Sequence, residues 1–325
     1  MPEMTMVQAI RSAMEHELAR DPLVMVLGED VGANGGVFRS TEGLQARFGP
    51  ARVVDTPLAE LGIVGTAVGL AASGMAPVAE IQFLGFTYQA FCEIAGQAAR
   101  LRMRSQGRFP CRITIRSPYG GGVRAPELHS DALETLFVHS PGLKVVAPST
   151  AADARGLLIA AIRDPDPVVF LEPLRGYRGI RDETPEDDTT VPIGPARLVR
   201  AGTDVSVFAW SAMVPVVTAA AERAAAEGIS CEVIDLRTLV PLDEDTVAAS
   251  VEKTGRAVVV HEAPLTGGFG AELAATIMEQ CFLSLEAPVV RVTAPDIPYP
   301  AGMYEDRYIP NVERALDGIR RAARF

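Results

Sequence analysis

The stretch Val54-Asp55-Thr56-Pro57-Leu58-Ala59-Glu60-Leu61-Gly62-Ile63-Val64-Gly65-Thr66-Ala67-Val68-Gly69 decides how the chain is read. It opens as the end of a buried strand (Val53, Val54), turns at a proline, and places one carboxylate at the mouth of an apolar helix. A carboxylate entering so apolar a segment is costly unless it meets a partner or a ligand. Gly62, Gly65 and Gly69 strip side chains from that helix, so another backbone or a flat ring can come close. The helix dipole also favours an acid at this position. The segment by itself therefore leaves a cap and a functional acid both open.

Outward from this point, strand and helix signals alternate. Thr5-Met6-Val7-Gln8 has the form of a capping box, and Val7, Ile10, Met14 and Leu18 share one face, so the spacing predicts a helix over 5–20. Leu23–Leu27, Val53-Val54, 77–82, 113–115, 144–146 and 168–171 read as apolar strands, with a long helix near 87–105. Apolar strands alternating with helices imply a parallel sheet covered on both faces. From Arg175 to Pro195 the chain turns polar, acidic and Pro-containing, as a linker does. A second α/β pattern follows, with strands at 205–209, 231–235 and 257–260, a helix over 213–227, and Gly267-Gly268-Phe269-Gly270 leading into a helix over 271–281.

With 325 residues, two domains are the natural expectation, and 48% hydrophobic content is ample for packed cores. The net charge of −11 argues against nucleic acid, which needs a basic footprint. No apolar run approaches the roughly 18 residues of a membrane span, and no export signal is expected. Cys92, Cys111, Cys231 and Cys281 lie far apart without a CxxC pair and read as thiols of a reducing cytoplasm. His16, His129, His139 and His261 show no metal-ligand spacing, which makes a zinc enzyme an unfavoured reading.

Gly120-Gly121-Gly122 with His129 nearby forms a second candidate site, since a glycine loop can present a histidine for proton transfer or anion binding. Gly267–Gly270 reads as a tight turn: the chain has no GxxxxGK[ST] and no G-x-G-x-x-G opening a βαβ unit. Asp164-Pro165-Asp166-Pro167 marks a turn before a strand, and its oxygens suit a hard cation equally.

Several ordered stretches then carry a resemblance that covers essentially the whole chain. They are Gly28-Glu29-Asp30-Val31 with Gly35-Gly36-Val37-Phe38-Arg39, Asp55–Glu60, Glu80-Ile81-Gln82-Phe83, Ile115-Arg116-Ser117-Pro118 with the glycine triplet, His129-Ser130, Val233–Thr238 and Leu285–Val289. In these the chain resembles the β subunit of the heterotetrameric thiamine-diphosphate-dependent 2-oxoacid dehydrogenases. The resemblance implies an α/β fold of two domains, a parallel-sheet pyrimidine-binding domain over 1–178 and a transketolase C-terminal-type domain over 195–325, joined by a linker at 179–194.

It further implies that Glu60 is the catalytic glutamate, bonded to a ring nitrogen of the aminopyrimidine, with Phe86 and Gln89 at the cofactor. His129 would orient the 2-oxoacid and assist acyl transfer to a lipoyl group. Cys111, Ile113, Thr114, Ala161, Asp164 and Asp166 become candidates for a potassium site, mostly through backbone carbonyls. The chain lacks a Gly-Asp-Gly followed by an Asn-bearing segment, so magnesium and the diphosphate would be held by an α subunit in an α₂β₂ tetramer. The C-terminal domain would pair β with β and dock the dihydrolipoyl acyltransferase.

Relatives carry an aspartate of an acidic relay where this chain has Cys92. Pro126–Asp131 and Ala294-Pro295-Asp296 resemble the pyruvate branch, with branched-chain 2-oxoacid and acetoin dehydrogenases as the near rivals and a non-catalytic assembly subunit as the distant one.

Overall fold

The computed structural model describes residues 1–300 and 302–325. Its strands are β1 (Glu3–Thr5), β2 (Val24–Gly28), β3 (Val53–Asp55), β4 (Ala76–Glu80), β5 (Thr114–Tyr119), β6 (Lys144–Val146) and β7 (Val168–Pro173). They continue as β8 (Arg181–Glu183), β9 (Arg197–Arg200), β10 (Val205–Ala209), β11 (Cys231–Asp235), β12 (Thr238–Val240), β13 (Ala257–Pro264) and β14 (Val290–Ala294). A seven-stranded sheet has the order β12-β6-β7-β5-β4-β2-β3, and a five-stranded sheet the order β14-β13-β10-β11-β9. Both are parallel except for one antiparallel edge strand each, β12 and β9. This is the architecture that uninterrupted apolar strands demand, because such strands must be buried on both faces.

The helix Met6–Arg20 begins with the expected capping box, Thr5 and Gln8 bonding each other's backbone. It packs with the helix Ala151–Arg163 over one face of the first sheet, where Met6, Ile10, Met14, Leu157 and Leu158 are buried. The opposite face is covered by the helix Glu60–Ala72 and the helical segment that follows β4. That core runs without a break from Val64 and Ile94 through Val145 to Trp210, just after β10, and Leu273 of the helix Phe269–Cys281.

Three features depart from the sequence reading. The helix expected near 87–105 is α-helical over Thr87–Phe91 and Ala99–Arg104 but widens to a π-helix over Cys92–Ala98. The polar run after Arg175 is not wholly a linker, because β8 pairs with β1 and Asp182 accepts a bond from the Ala151 amide. Finally, β12 leaves the C-terminal half of the chain to pair with β6.

The path that matters for function is the order around β2. Its neighbours are β3 on one side and β4 on the other, so the chain reverses direction across the sheet there. Loops leaving neighbouring strands at such a point diverge and open a crevice at the carboxyl ends. A methyl group on Gly28 would lie 2.8 Å from the Glu80 carbonyl oxygen, so only glycine lets β2 and β4 end this close together.

Candidate active site

Glu60 opens its helix just beyond β3, at the rim of this crevice, and is only 5% exposed. Its Oε2 has no hydrogen-bond partner among the described residues. The helix has Ala59 at its N-cap without a side-chain capping bond. Thr56 Oγ1, after β3, and Gln82 Nε2, after β4, are likewise buried without partners among the described residues. Beyond β2, the Glu29 carboxyl is raised above its ordinary value by burial and then by the negative charges of Asp30 and Glu60. The carboxyl ends of β2, β3 and β4 thus carry polar atoms that the fold itself does not satisfy, a costly state unless a ligand meets them.

His129 and Phe86 come together. The His129 ring stands edge-on to Phe83 (centroids 4.5 Å apart) and to Phe86 (5.0 Å). Phe83 contacts Phe38 at 5.4 Å, and Phe38 contacts Tyr177 at 5.3 Å, so aromatic rings back the histidine from the β2 loop to the end of β7. Nδ1 of His129 lies 3.2 Å from the Glu127 carbonyl. A carbonyl only accepts, so Nδ1 carries a proton and Nε2 is left for another partner. The loop reaches this position by backbone contact: a methyl group on Gly85 would lie 2.2 Å from the Leu128 carbonyl oxygen. Gln89 is exposed on the following helical turn.

Beneath the crevice lies a closed ionic network. Arg116, 1% exposed, bonds Glu172 through Nε (2.6 Å) and Nη2 (2.8 Å) and also bonds Glu80. Ser40 donates to Glu80 and Tyr177 donates to Glu172.

The glycine face of the helix Glu60–Ala72 is largely open within this chain. A methyl group at Gly69 would meet nothing within 4 Å, and one at Gly65 would meet only Glu93, at 3.9 Å. Leu58 and Leu61, flanking Glu60, are 69% and 52% exposed. Cys92 is exposed, while Glu93 lies against Gly65 because the π-helix changes which side chains face that helix.

The segments holding Cys111, Ile113, Thr114 and Ala161, Asp164, Asp166 lie side by side, since the Cys111 amide donates to the Pro165 carbonyl at 3.0 Å. The Asp164 carboxylate is engaged by Lys144 (2.6 Å) and that of Asp166 by Arg102 (2.7 Å).

Sequence reasoning missed Phe38, Phe83, Gln82 and Glu29 as site residues. All four stood in quoted stretches, but nothing local marks which of those side chains faces the crevice.

Two family models match the chain: "Transketolase, pyrimidine binding domain" over residues 2–179 and "Transketolase, C-terminal domain" over residues 194–314. The pyruvate dehydrogenase E1 component subunit beta of Bacillus subtilis is 54% identical over the full length of both chains. The chain belongs to the pyruvate dehydrogenase E1 β-subunit family. Members from Staphylococcus epidermidis and Staphylococcus aureus are 54% and 53% identical, again over the full length of both chains. The fold of this E1 β-family chain is also that of a solved structure, a split-gene transketolase described as an inactive beta4 tetramer. The two superpose with a TM-score of 0.81 at 23% identity, covering 99% of this chain and 98% of the other.

Proposed function

We propose that the chain is the β subunit of the decarboxylating component of pyruvate dehydrogenase. With an α subunit, as an α₂β₂ tetramer, it decarboxylates pyruvate on thiamine diphosphate and passes the acetyl group to lipoyllysine of the acyltransferase. The observation that carries this reading is the unbonded Glu60 Oε2 at the carboxyl end of the first sheet, the same end from which the loop after β5 sets His129 against Phe83 and Phe86. The division into 1–178 and 195–325, joined by 179–194 with β8 folded back on β1, belongs to the same reading.

The residues fit the cofactor. A buried carboxylate oxygen without a partner suits a protonated ring nitrogen, and Phe86, beside Phe83 and His129, offers a flat apolar face. When bound, thiamine diphosphate supplies the carbon nucleophile and the electron sink that decarboxylation of a 2-oxoacid requires. Glu60 holds the proton at the pyrimidine nitrogen. Gln89, one helical turn beyond Phe86, lies on the cofactor side of the partner subunit. His129, with Nδ1 fixed by the Glu127 carbonyl, turns Nε2 toward the substrate carboxylate and exchanges a proton during acyl transfer.

The exposed Leu58 and Leu61 and the open glycine face support an α subunit seated over Glu60, which would exclude water and hold magnesium with the diphosphate. A potassium ion would sit among Cys111, Ile113, Thr114, Ala161, Asp164 and Asp166, mostly on their backbone carbonyls. Their neighbouring carboxylates are already neutralised by Lys144 and Arg102, so backbone oxygens are the available ligands.

The test is turnover of pyruvate and of 2-oxoisovalerate by the tetramer reconstituted with its α subunit. A higher kcat/KM for pyruvate is expected. Equal or greater activity on the branched acid would assign the chain to the branched-chain enzymes. An active tetramer unaffected by Glu60→Gln would make it an assembly subunit.

A further inference from the structure

The loop from Gly120 to Asp131 presents His129 with no regular secondary structure of its own. Its ends are tied together, the Gly120 amide donating to the Asp131 carbonyl at 3.2 Å. Inside it, Gly120, Gly122, Arg124 and Leu128 all take positive φ. A loop so shaped is not held by its own backbone preferences, because non-glycine residues resist that conformation. It needs an external support, and two buried carboxylates of the C-terminal half supply one.

Glu262, near the end of β13 and 9% exposed, accepts the Gly121 amide at 3.0 Å. Glu305, 2% exposed, accepts the Arg124 amide at 3.0 Å through Oε2. The same oxygen accepts the Tyr299 hydroxyl at 2.6 Å. The fit is close: a methyl group on Gly121 would lie 1.9 Å from the Tyr299 hydroxyl oxygen, and one on Gly120 2.5 Å from Glu262 Oε2. The glycine triplet is therefore a notch for side chains of the other half of the molecule.

We infer that Glu262 and Glu305, with Tyr299, are positioning residues for His129, so that the C-terminal half sets the placement of the loop that serves acyl transfer. This rests on the proposed function, because it is that reading which gives His129 its role. Hydrogen bonds from amides to buried carboxylates are among the stronger ones available, and losing one displaces a loop that has little else to hold it.

The test uses the reconstituted tetramer carrying Glu305→Leu, Glu305→Gln or Tyr299→Phe, each with and without His129→Ala. Three quantities are read: acetylation of a lipoyl domain, pyruvate-driven reduction of an artificial dye, and affinity for thiamine diphosphate. Glu305→Leu is expected to slow lipoyl acetylation about tenfold and dye reduction by a smaller factor, since His129 also faces the substrate carboxylate, while cofactor affinity stays within about twofold. Glu305→Gln keeps an acceptor oxygen and restores the rate. With His129→Ala already present, Glu305→Leu should cost nothing further, since both act through one group. A parallel fall in cofactor affinity, an additive loss on His129→Ala, or no rescue by glutamine would overturn the inference. Should the leucine variant not assemble, Tyr299→Phe carries the same tests with a smaller loss.

Hydrogen exchange over 118–131 reads the support whatever acid is turned over. Faster exchange is expected in Glu305→Leu, and unchanged exchange overturns the inference. A wild-type tetramer without activity on any 2-oxoacid would instead overturn the functional reading.

Discussion

Glu60 and Glu80 are buried to the same extent, each 5% exposed, and both lie at the carboxyl end of the first sheet. Their surroundings are opposite. Glu80 is met by Arg116 and Ser40 in a network that closes on itself through Glu172 and Tyr177. Glu60 keeps an oxygen with no partner among the described residues. Burial alone therefore does not mark a functional acid. What distinguishes the two is whether the fold has already supplied the counter-group, and an acid left waiting is one whose counter-group comes from outside.

Exchanging the two by mutation should separate activity from stability. Glu60→Gln is expected to lower turnover of the tetramer by roughly 10²–10⁴-fold, the worth of a placed acid–base group, while leaving the melting temperature of the isolated chain unchanged or higher. Arg116→Leu should do the reverse and destabilise the chain by about 3–5 kcal/mol, since it strands two buried carboxylates. Thermal unfolding of the two variants beside steady-state rates checks the pair. If Glu60→Gln unfolds earlier than Arg116→Leu, the contrast fails.

Glu134 sharpens the comparison at a smaller scale. It is fully buried, both its oxygens lack partners among the described residues, and burial, above all, pushes its carboxyl up to about 7. Its own amide and the Trp210 indole lie near enough to act the other way without making a hydrogen bond of ordinary geometry, while Glu262 adds to the rise. The folded form therefore binds this proton more tightly than the unfolded chain does. That stabilisation is complete below the unfolded value of about 4.5 and is lost as pH rises through about 7. Glu134→Gln should flatten this part of the pH–stability curve and raise the melting temperature at pH 8. An unchanged curve would remove Glu134 from the set of buried acids that lack a counter-group. The smallest effect is expected from Phe83→Leu, which removes one edge contact to His129, about 1 kcal/mol. Lipoyl acetylation should slow several-fold with cofactor affinity kept, and a parallel loss of affinity would move Phe83 from the histidine to the cofactor side.

Much of the fold could be read locally. Thr5 and Gln8 announce a helix by their own reciprocal bonds, and runs such as Val168–Leu171 admit only a strand covered on both faces. Glu60 and the glycine triplet stood out because they break apolar or regular patterns. The partners of buried charges were not legible: Arg116 meets acids 36 and 56 residues away, and nothing near it in sequence names them. The π-helix at Cys92 was hidden as well, since its composition suits an α-helix. Three-residue β12 is too short for any periodicity to show.

That short strand has a consequence for how the protein could be divided. Residues Thr238–Val240 close the flank of Lys144–Val146, so a fragment ending at the polar run would expose a bare ribbon of amides and carbonyls. Uncapped flanks of this kind recruit whatever strand is nearest. The first half expressed alone should then self-associate, however separate the two halves look in sequence.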